Sequence, residues 1–394
     1  MLAKQDVDYL LDQMLRSGGN ISDLNMTVGK PLQVERDGVL VTADLDPPMG
    51  PLTPFQTEMI ALAFLGRDRR LMDALVKEGS CDLSHEIPGK ARLRVNIFSQ
   101  KGTYSIAFRI LAARVPTIEE MELPRAFLEM AGEKNGLILV TGATGTGKST
   151  SVAALLERIN EEQSIHIITL EDPVEYQHTH RKATINQREL GVDFENFAGG
   201  LRAALRQAPK IIFLGEMRDR ESVEIGLSAA ETGHLVLSTL HTMDAGQTIN
   251  RILGMFSMEE ENQIRVRLAD TIRWVVCQRL LPKIGGGRVA AFEIMKTNIR
   301  VRDAVLHGEG EGKTFRDIIE TGRAFDMISF DEYITGLYRD GLVTEETALA
   351  YATTRGVVSR GIDSVKSARG EKTTPLDGLE IDRGYGRGKK PRSF

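Results

Sequence analysis

The stretch GLILVTGATGTGKSTSVAALLERIN, residues 136–160, decides the fold of this chain. Its opening GLILV is a short apolar run suited to a buried parallel strand, and STSVAALLERIN has the pattern of a helix. Between them GATGTGKS at 142–149 fits G-x-x-x-x-G-K-[ST] in full, through Gly142, Gly147, Lys148 and Ser149. Glycines at these places let backbone N–H groups converge on anionic oxygens without side-chain clashes. The helix start adds its unpaired donors and the positive end of its dipole. Gly142, Ala143, Thr144, Gly145, Thr146, Gly147, Lys148, Ser149 and Thr150 therefore form a candidate phosphate-binding loop. Lys148 is expected to reach the β- and γ-phosphates of ATP, and Ser149 to hold Mg²⁺.

Downstream of the loop, strand-like and helix-like runs alternate, which argues for a parallel sheet with helices packed on it. HIITL, KIIFL and HLVLS are further buried-strand candidates, and LLPKIGGGRVAAFEIM reads as an antiparallel pair turning at Gly285, Gly286 and Gly287. Parallel strands align their C-terminal ends along one edge, where catalytic groups gather. HIITL ends in Glu171-Asp172-Pro173-Val174-Glu175, and KIIFL leads into Gly215-Glu216. Carboxylates there can bind Mg²⁺ through water or polarise an attacking water; either one alone is equally well a solvated loop acid, and it is the pair that favours a site. His234 and His241 bracket a third strand in ETGHLVLSTLHT, where a γ-phosphate sensor and an ordinary hydrogen-bonding histidine are both open.

Upstream, about 115 residues read as a small α+β domain. Val7, Leu10, Leu11, Met14 and Leu15 recur at helical spacing. Asp37-Gly38 between LQVER and VLVTADL is a hairpin signal, and Thr53-Pro54 supplies an N-cap and first helical residue. CDLSHEI, ARLRVNIFS and TYSIAFRIL follow as strands. Arg92, Arg94 and Arg109 lie on these runs, and on spacing alone they belong to a solvated face. Residues 112–124, with two prolines and several acids, read as a linker. Helical pattern ends near residue 355.

Composition narrows the class. A hydrophobic fraction of 41% with 27% charged residues is ordinary for a soluble globular chain. No run approaches the roughly 18–20 apolar residues of a membrane span. Cys81 and Cys277 alone exclude a disulfide scaffold and a four-cysteine zinc site. The net charge of −5 is uneven: residues 365–394 hold eight basic against four acidic side chains, leaving −9 on residues 1–364. That acidic balance argues against a strong nucleic-acid footprint, so no nucleic-acid partner is expected. The Gly-rich basic end, RGYGRGKKPRSF, lacks core formers and reads as a disordered tail.

GATGTGKST, ITLEDPVEY, NQRELG, FLGEMRD and AETGHLVLSTLHT occur in this order, with RLRVNIFSQ before them and KIGGGRVAAFEIM after. In that series the chain resembles the PilT/PilU twitching-motility ATPases of the secretion ATPase superfamily, over roughly residues 5–355. The resemblance implies an α/β protein with a RecA-like P-loop ATPase core and a smaller α+β, PAS-like N-terminal domain. The boundaries would be 1–112 for the N-terminal domain, 113–124 for the linker, 125–356 for the ATPase domain and 357–394 for the basic tail. It further implies a homohexamer, cytoplasmic and peripheral at the inner membrane, that hydrolyses ATP to power type IV pilus retraction. An inner-membrane pilus platform protein and a paralogous retraction ATPase would be its partners. Carried over by position, Glu175 belongs to the family's Asp box, Glu216 is the Walker B glutamate and His241 lies in the His box. Ser149, Glu175 and Glu216 would serve Mg²⁺, partly through water, and Arg94 and Arg109 would approach the nucleotide from the N-terminal domain.

Three features depart from the family pattern. Lys210 stands where Asp is usual, RVRDAV at 300–305 keeps only Arg302 of the retraction-linked AIRNLI-type motif, and the chain runs on into the basic tail. ATGTGKSTS, LRQAP and ALAYA lean to the accessory PilU type, while GEMRD and KIGGGRVAA lean to PilT. An extension or type II secretion motor would bring a four-cysteine module that two cysteines cannot build. A nucleic-acid translocase and a low-turnover regulatory subunit are the readings from other classes.

Overall fold

The computed structural model describes residues 4–111 and 114–371. In the first domain six strands form one antiparallel sheet: β1 (Ile21–Met26), β2 (Gln33–Arg36), β3 (Val39–Thr42), β4 (Ser80–Ile87), β5 (Ala91–Gln100) and β6 (Thr103–Leu111), in the order β3-β2-β1-β6-β5-β4. The hairpin β2–β3 turns at Asp37 and Gly38, both with positive φ (52° and 81°) as a type I′ turn needs. Helices Lys4–Leu15, Pro54–Leu65 and Arg69–Glu78 cover one face. The second of them opens with a capping box between Thr53 and Gln56. Along β5, Leu93, Val95 and Ile97 are buried in this core. Period-two alternation therefore turns Arg92 and Arg94 to the opposite face, and Arg109 of β6 is the cross-strand neighbour of Arg94.

The second domain is built on seven strands: β7 (Gly136–Thr141), β8 (His166–Glu171), β9 (Thr184–Glu189), β10 (Ile211–Leu214), β11 (Leu235–Leu240), β12 (Ile272–Pro282) and β13 (Arg288–Lys296). Their order is β13-β12-β7-β11-β10-β8-β9, parallel from β12 to β9, with β13 antiparallel at one edge. The central β7 alternates between two cores. Leu137 and Leu139 enter the one shared with helices Arg220–Glu231, Ala245–Leu253 and Met258–Thr271. Ile138 and Val140 enter the one shared with helix Lys148–Glu162. Burial on both faces explains why the strand sequences are continuous apolar runs. This is the architecture the resemblance implies, a RecA-like α/β core carrying a smaller α+β N-terminal domain.

Two expectations require correction. Residues 114–124 do not simply span two domains: Ile118 and Leu123 are buried in the second domain's core beside Phe127 and Met130. Thr117 and Glu120 bond reciprocally, Glu120 Oε2 accepting from Thr117 N–H at 3.0 Å and Thr117 Oγ1 from Glu120 N–H at 3.1 Å. Nor does an unstructured tail begin at 357, because Arg355–Ala368 is a helix with Val358, Ile362 and Val365 buried. Its i, i+4, i+7 apolar positions dock on helix Phe330–Arg339. The basic end at 383–394 lies outside the described residues.

Candidate active site

The candidate loop leaves the C-terminal end of β7 and enters helix Lys148–Glu162. Gly142, Gly145 and Gly147 all have positive φ. At Gly142 an added Cβ would stand 2.4 Å from the carbonyl oxygen of Gln278 on β12, so the close approach itself demands glycine. Lys148 is 7% exposed and donates to the carbonyl oxygens of Gly142 at 2.8 Å and Ala143 at 2.9 Å. Burial lowers its ammonium pKa, while Glu175 and Glu216 oppose that shift. Ser151 Oγ donates to Gln278 Oε1 at 2.9 Å, tying the helix to β12. Thr150 and Tyr176 hydroxyls lie 3.0 Å apart, tying it to the loop after β8.

These groups border a cleft of about 750 Å³. Gly147, Lys148, Ser149, Glu175, Glu216 and His241 all line it. The placement follows from topology: β8, β10 and β11 run parallel to β7, so the residues after their ends share its edge. Glu216 is paired with Arg218 through Oε1, whereas Oε2 is buried, has no hydrogen-bond partner among the described residues and faces His241 Nε2 at 3.5 Å. Thr239 Oγ1 donates to Gly215 O at 2.6 Å, fixing the ends of β10 and β11 to each other. Glu171 accepts from Thr169 at 2.5 Å and from Gln187 at 3.1 Å, and desolvation raises its carboxyl pKa. Burial also raises Asp172, against the opposing fields of Arg94 and Arg218.

The other predicted residues fall elsewhere. Arg94 pairs with Asp82 at 3.5 Å and Arg109 with Asp23 at 2.9 Å, and neither lines the cleft. Arg94 is nonetheless near enough to Asp172 to act on its charge. His234 sits at the opposite end of β11 from His241, its Nδ1 3.0 Å from Ala229 O, as an ordinary structural histidine. Sequence reasoning missed Gln278 and Tyr176, which brace the loop, and Glu120, Met121, Glu122, Lys283 and Arg288 on the cleft's rim. The polar pair Gln278-Arg279 interrupting the apolar run WVVCQRLL was the available signal for Gln278.

A positively charged cradle of backbone donors that shares a cleft with two carboxylates has the chemistry of a polyphosphate site. The donors fit Mg²⁺: the Ser149 hydroxyl and the carboxylates of Glu175 and Glu216 line one cleft, with Glu216 Oε2 free of hydrogen bonds among the described residues. Among the described residues no group of three or more His, Cys, Asp or Glu could hold a metal.

Residues 81–337 match the family model for type II/IV secretion system proteins. The chain is 38% identical over 344 residues to the type IV pilus retractation ATPase PilT of Pseudomonas aeruginosa, covering 87% of this chain and 97% of that one. The chain belongs to the PilT family of secretion ATPases. Within that family it is 34% identical to the type IV pilus ATPase PilU of the same organism, over 88% of both chains. The crystal structure of the pilus retraction motor PilT with bound ADP superposes with a TM-score of 0.80 at 38% identity, covering 91% of this chain and all of the other. The Legionella pneumophila ATPase DotB gives 0.77 at 27% identity, covering 88% and 95%. Among the described residues of this PilT-family chain, no helix is long and apolar enough to cross a membrane.

Proposed function

We propose that this chain is an ATP-hydrolysing motor that powers type IV pilus retraction. The observation that carries the reading is the convergence of Lys148, Ser149, Glu175, Glu216 and His241 on one cleft, in a chain collinear with a pilus retraction ATPase. Lys148 exchanges the carbonyls of Gly142 and Ala143 for phosphate oxygens, and the loop amides orient the polyphosphate. Glu216 and Glu175 polarise and position the attacking water, and His241 responds to charge at Glu216 and the γ-phosphate. Mg²⁺, held by Ser149 and through water by the two glutamates, would neutralise charge building on the phosphates.

Among the described residues the cleft is lined wholly by residues 120–290, so no side chain of the first sheet lines it within one subunit. This supports a ring in which domain rotation or a neighbouring subunit delivers Arg94 and Arg109. A homohexamer at the cytoplasmic face of the inner membrane, acting on a platform protein and alongside a PilU-like paralogue, is the assembly proposed. Purified chain should hydrolyse ATP and lose this with Lys148→Ala. A deletion strain should carry excess surface pili and lose twitching. Loss of pili would point to extension, and an unchanged strain would overturn the assignment.

A further inference from the structure

Between the two domains one arginine bridges several groups. Arg92 of β5 and Glu189 at the end of β9 pair at 2.9 Å, with side chains 15% and 10% exposed. The same guanidinium donates through Nη1 to the carbonyl oxygen of Val174 at 2.5 Å. The same carboxylate oxygen of Glu189 accepts the N–H of Val174 at 3.2 Å. Ser84 of β4 completes the cluster by donating to Glu189 at 2.8 Å. Both peptide groups of buried Val174 are therefore gripped by one ion pair, and the next residue is Glu175, exposed on the wall of the cleft.

Three features separate this contact from an incidental interdomain pair. It is made to the backbone of the catalytic segment, so it fixes that segment's path whatever side chain stands at 174. It uses the fork of the guanidinium, one nitrogen for the carboxylate and one for the carbonyl, which a point charge cannot reproduce. Finally, Arg92 is the partner that departs if the N-terminal domain rotates, while Glu189 stays with the ATPase core.

We infer that Arg92 is a positioning residue that sets Glu175 for hydrolysis through Val174, making the catalytic geometry depend on how the N-terminal domain is seated. The inference rests on the reading of Glu175 given above. Docked, the triangle Arg92–Glu189–Val174 holds the segment; undocked, Val174 keeps one of its two anchors and the carboxylate of Glu175 loses its fixed distance from the phosphates. Because none of the three residues touches the nucleotide cleft, binding is left alone while turnover falls.

The test uses purified full-length chain, steady-state ATP hydrolysis and titration of a fluorescent ADP analogue. Arg92→Gln is expected to lower kcat roughly ten- to hundredfold, the scale of small misplacements of reacting groups, with KM and ADP affinity within about threefold of wild type. Arg92→Lys, which keeps the charge but not the fork, should fall between the two. If Arg92→Gln does not fold, Arg92→Lys carries the test alone, and a wild-type kcat for it overturns the inference. So does a loss of ADP affinity as large as the loss of kcat. Glu175→Gln separates the two layers: if it is inactive while Arg92→Gln turns over at the wild-type rate, positioning is wrong and the role of Glu175 stands. If Glu175→Gln itself turns over at the wild-type rate, the inference fails together with the reading beneath it.

Discussion

His241 Nε2 lies 3.5 Å from Glu216 Oε2, so the residue closing β11 faces the carboxylate that follows β10. That oxygen is buried and lacks a hydrogen-bond partner among the described residues, a costly state in an isolated chain and a useful one where a water or a hydrated ion must be held. Glu216→Gln should lower kcat for ATP by roughly 10²- to 10⁴-fold, the span of general acid–base contributions. Binding of an ADP analogue should stay within a few-fold, because Lys148 and the loop amides are untouched. His241→Ala should act in the same direction but less, since His241 is half exposed and acts on Glu216 from the rim. Steady-state kinetics with ADP titration distinguishes these outcomes, and a Glu216→Gln enzyme of normal rate would remove Glu216 from the mechanism.

Lys148 ends on two carbonyl oxygens of its own loop rather than on an acidic side chain. These neutral acceptors are readily exchanged for phosphate, so the lysine should matter far more to the bound state than to the fold. For wild type, ADP at a hundred times its Kd should add about 2.7 kcal/mol of stability, several degrees of Tm at this chain length. Lys148→Ala should melt within a few degrees of the free wild type and gain almost nothing from the same nucleotide. Thermal unfolding with and without ADP measures both quantities.

Ser151 and Gln278 are completely or nearly completely buried and bond to each other. Gln278→Leu would leave the Ser151 hydroxyl without its acceptor, at a cost of about 1–3 kcal/mol. The pair Ser151→Ala with Gln278→Leu should recover much of that, because the polar group is then removed rather than stranded. Urea unfolding of the two single variants and the double variant supplies the cycle.

The legible parts of this molecule are those in which chemistry is local in sequence. The phosphate loop, the strand-end carboxylates and the Asp37-Gly38 turn each need only a few adjacent residues, and all three stand where spacing put them. Arg92 was readable only as one arginine on a strand face, because its partners Val174 and Glu189 lie 82 and 97 residues away. Ser151 and Gln278 are 127 apart. The helix Arg355–Ala368 was hidden for a different reason: three buried side chains, Val358, Ile362 and Val365, are enough to dock it, while its composition resembles that of a solvated tail. Ile118 and Leu123 were overlooked in the same way among prolines and acids.

Glu293 of β13 is 6% exposed, and burial raises its carboxyl pKa to about 7. Asp244 adds to that rise, while the N–H of Ala245 and the charges of Arg279 and Arg316 oppose it. A carboxyl of ordinary acidity in the unfolded chain and of raised pKa in the folded one binds its proton more tightly when folded. Stability from this group is therefore present in full below the ordinary carboxylate range and is lost as pH rises towards 7. Between pH 5.5 and pH 8.5 the loss should be about 2 kcal/mol. Glu293→Gln keeps an oxygen to accept the Ala245 N–H, bonded at 3.0 Å in the wild type, and has no charge to acquire. The variant should therefore gain on the wild type by that amount over the same interval. Urea unfolding of both proteins at the two pH values measures it. Parallel pH dependences would mean that Glu293 is already ionised at pH 5.5 in the folded chain, held so by Arg279 and Arg316.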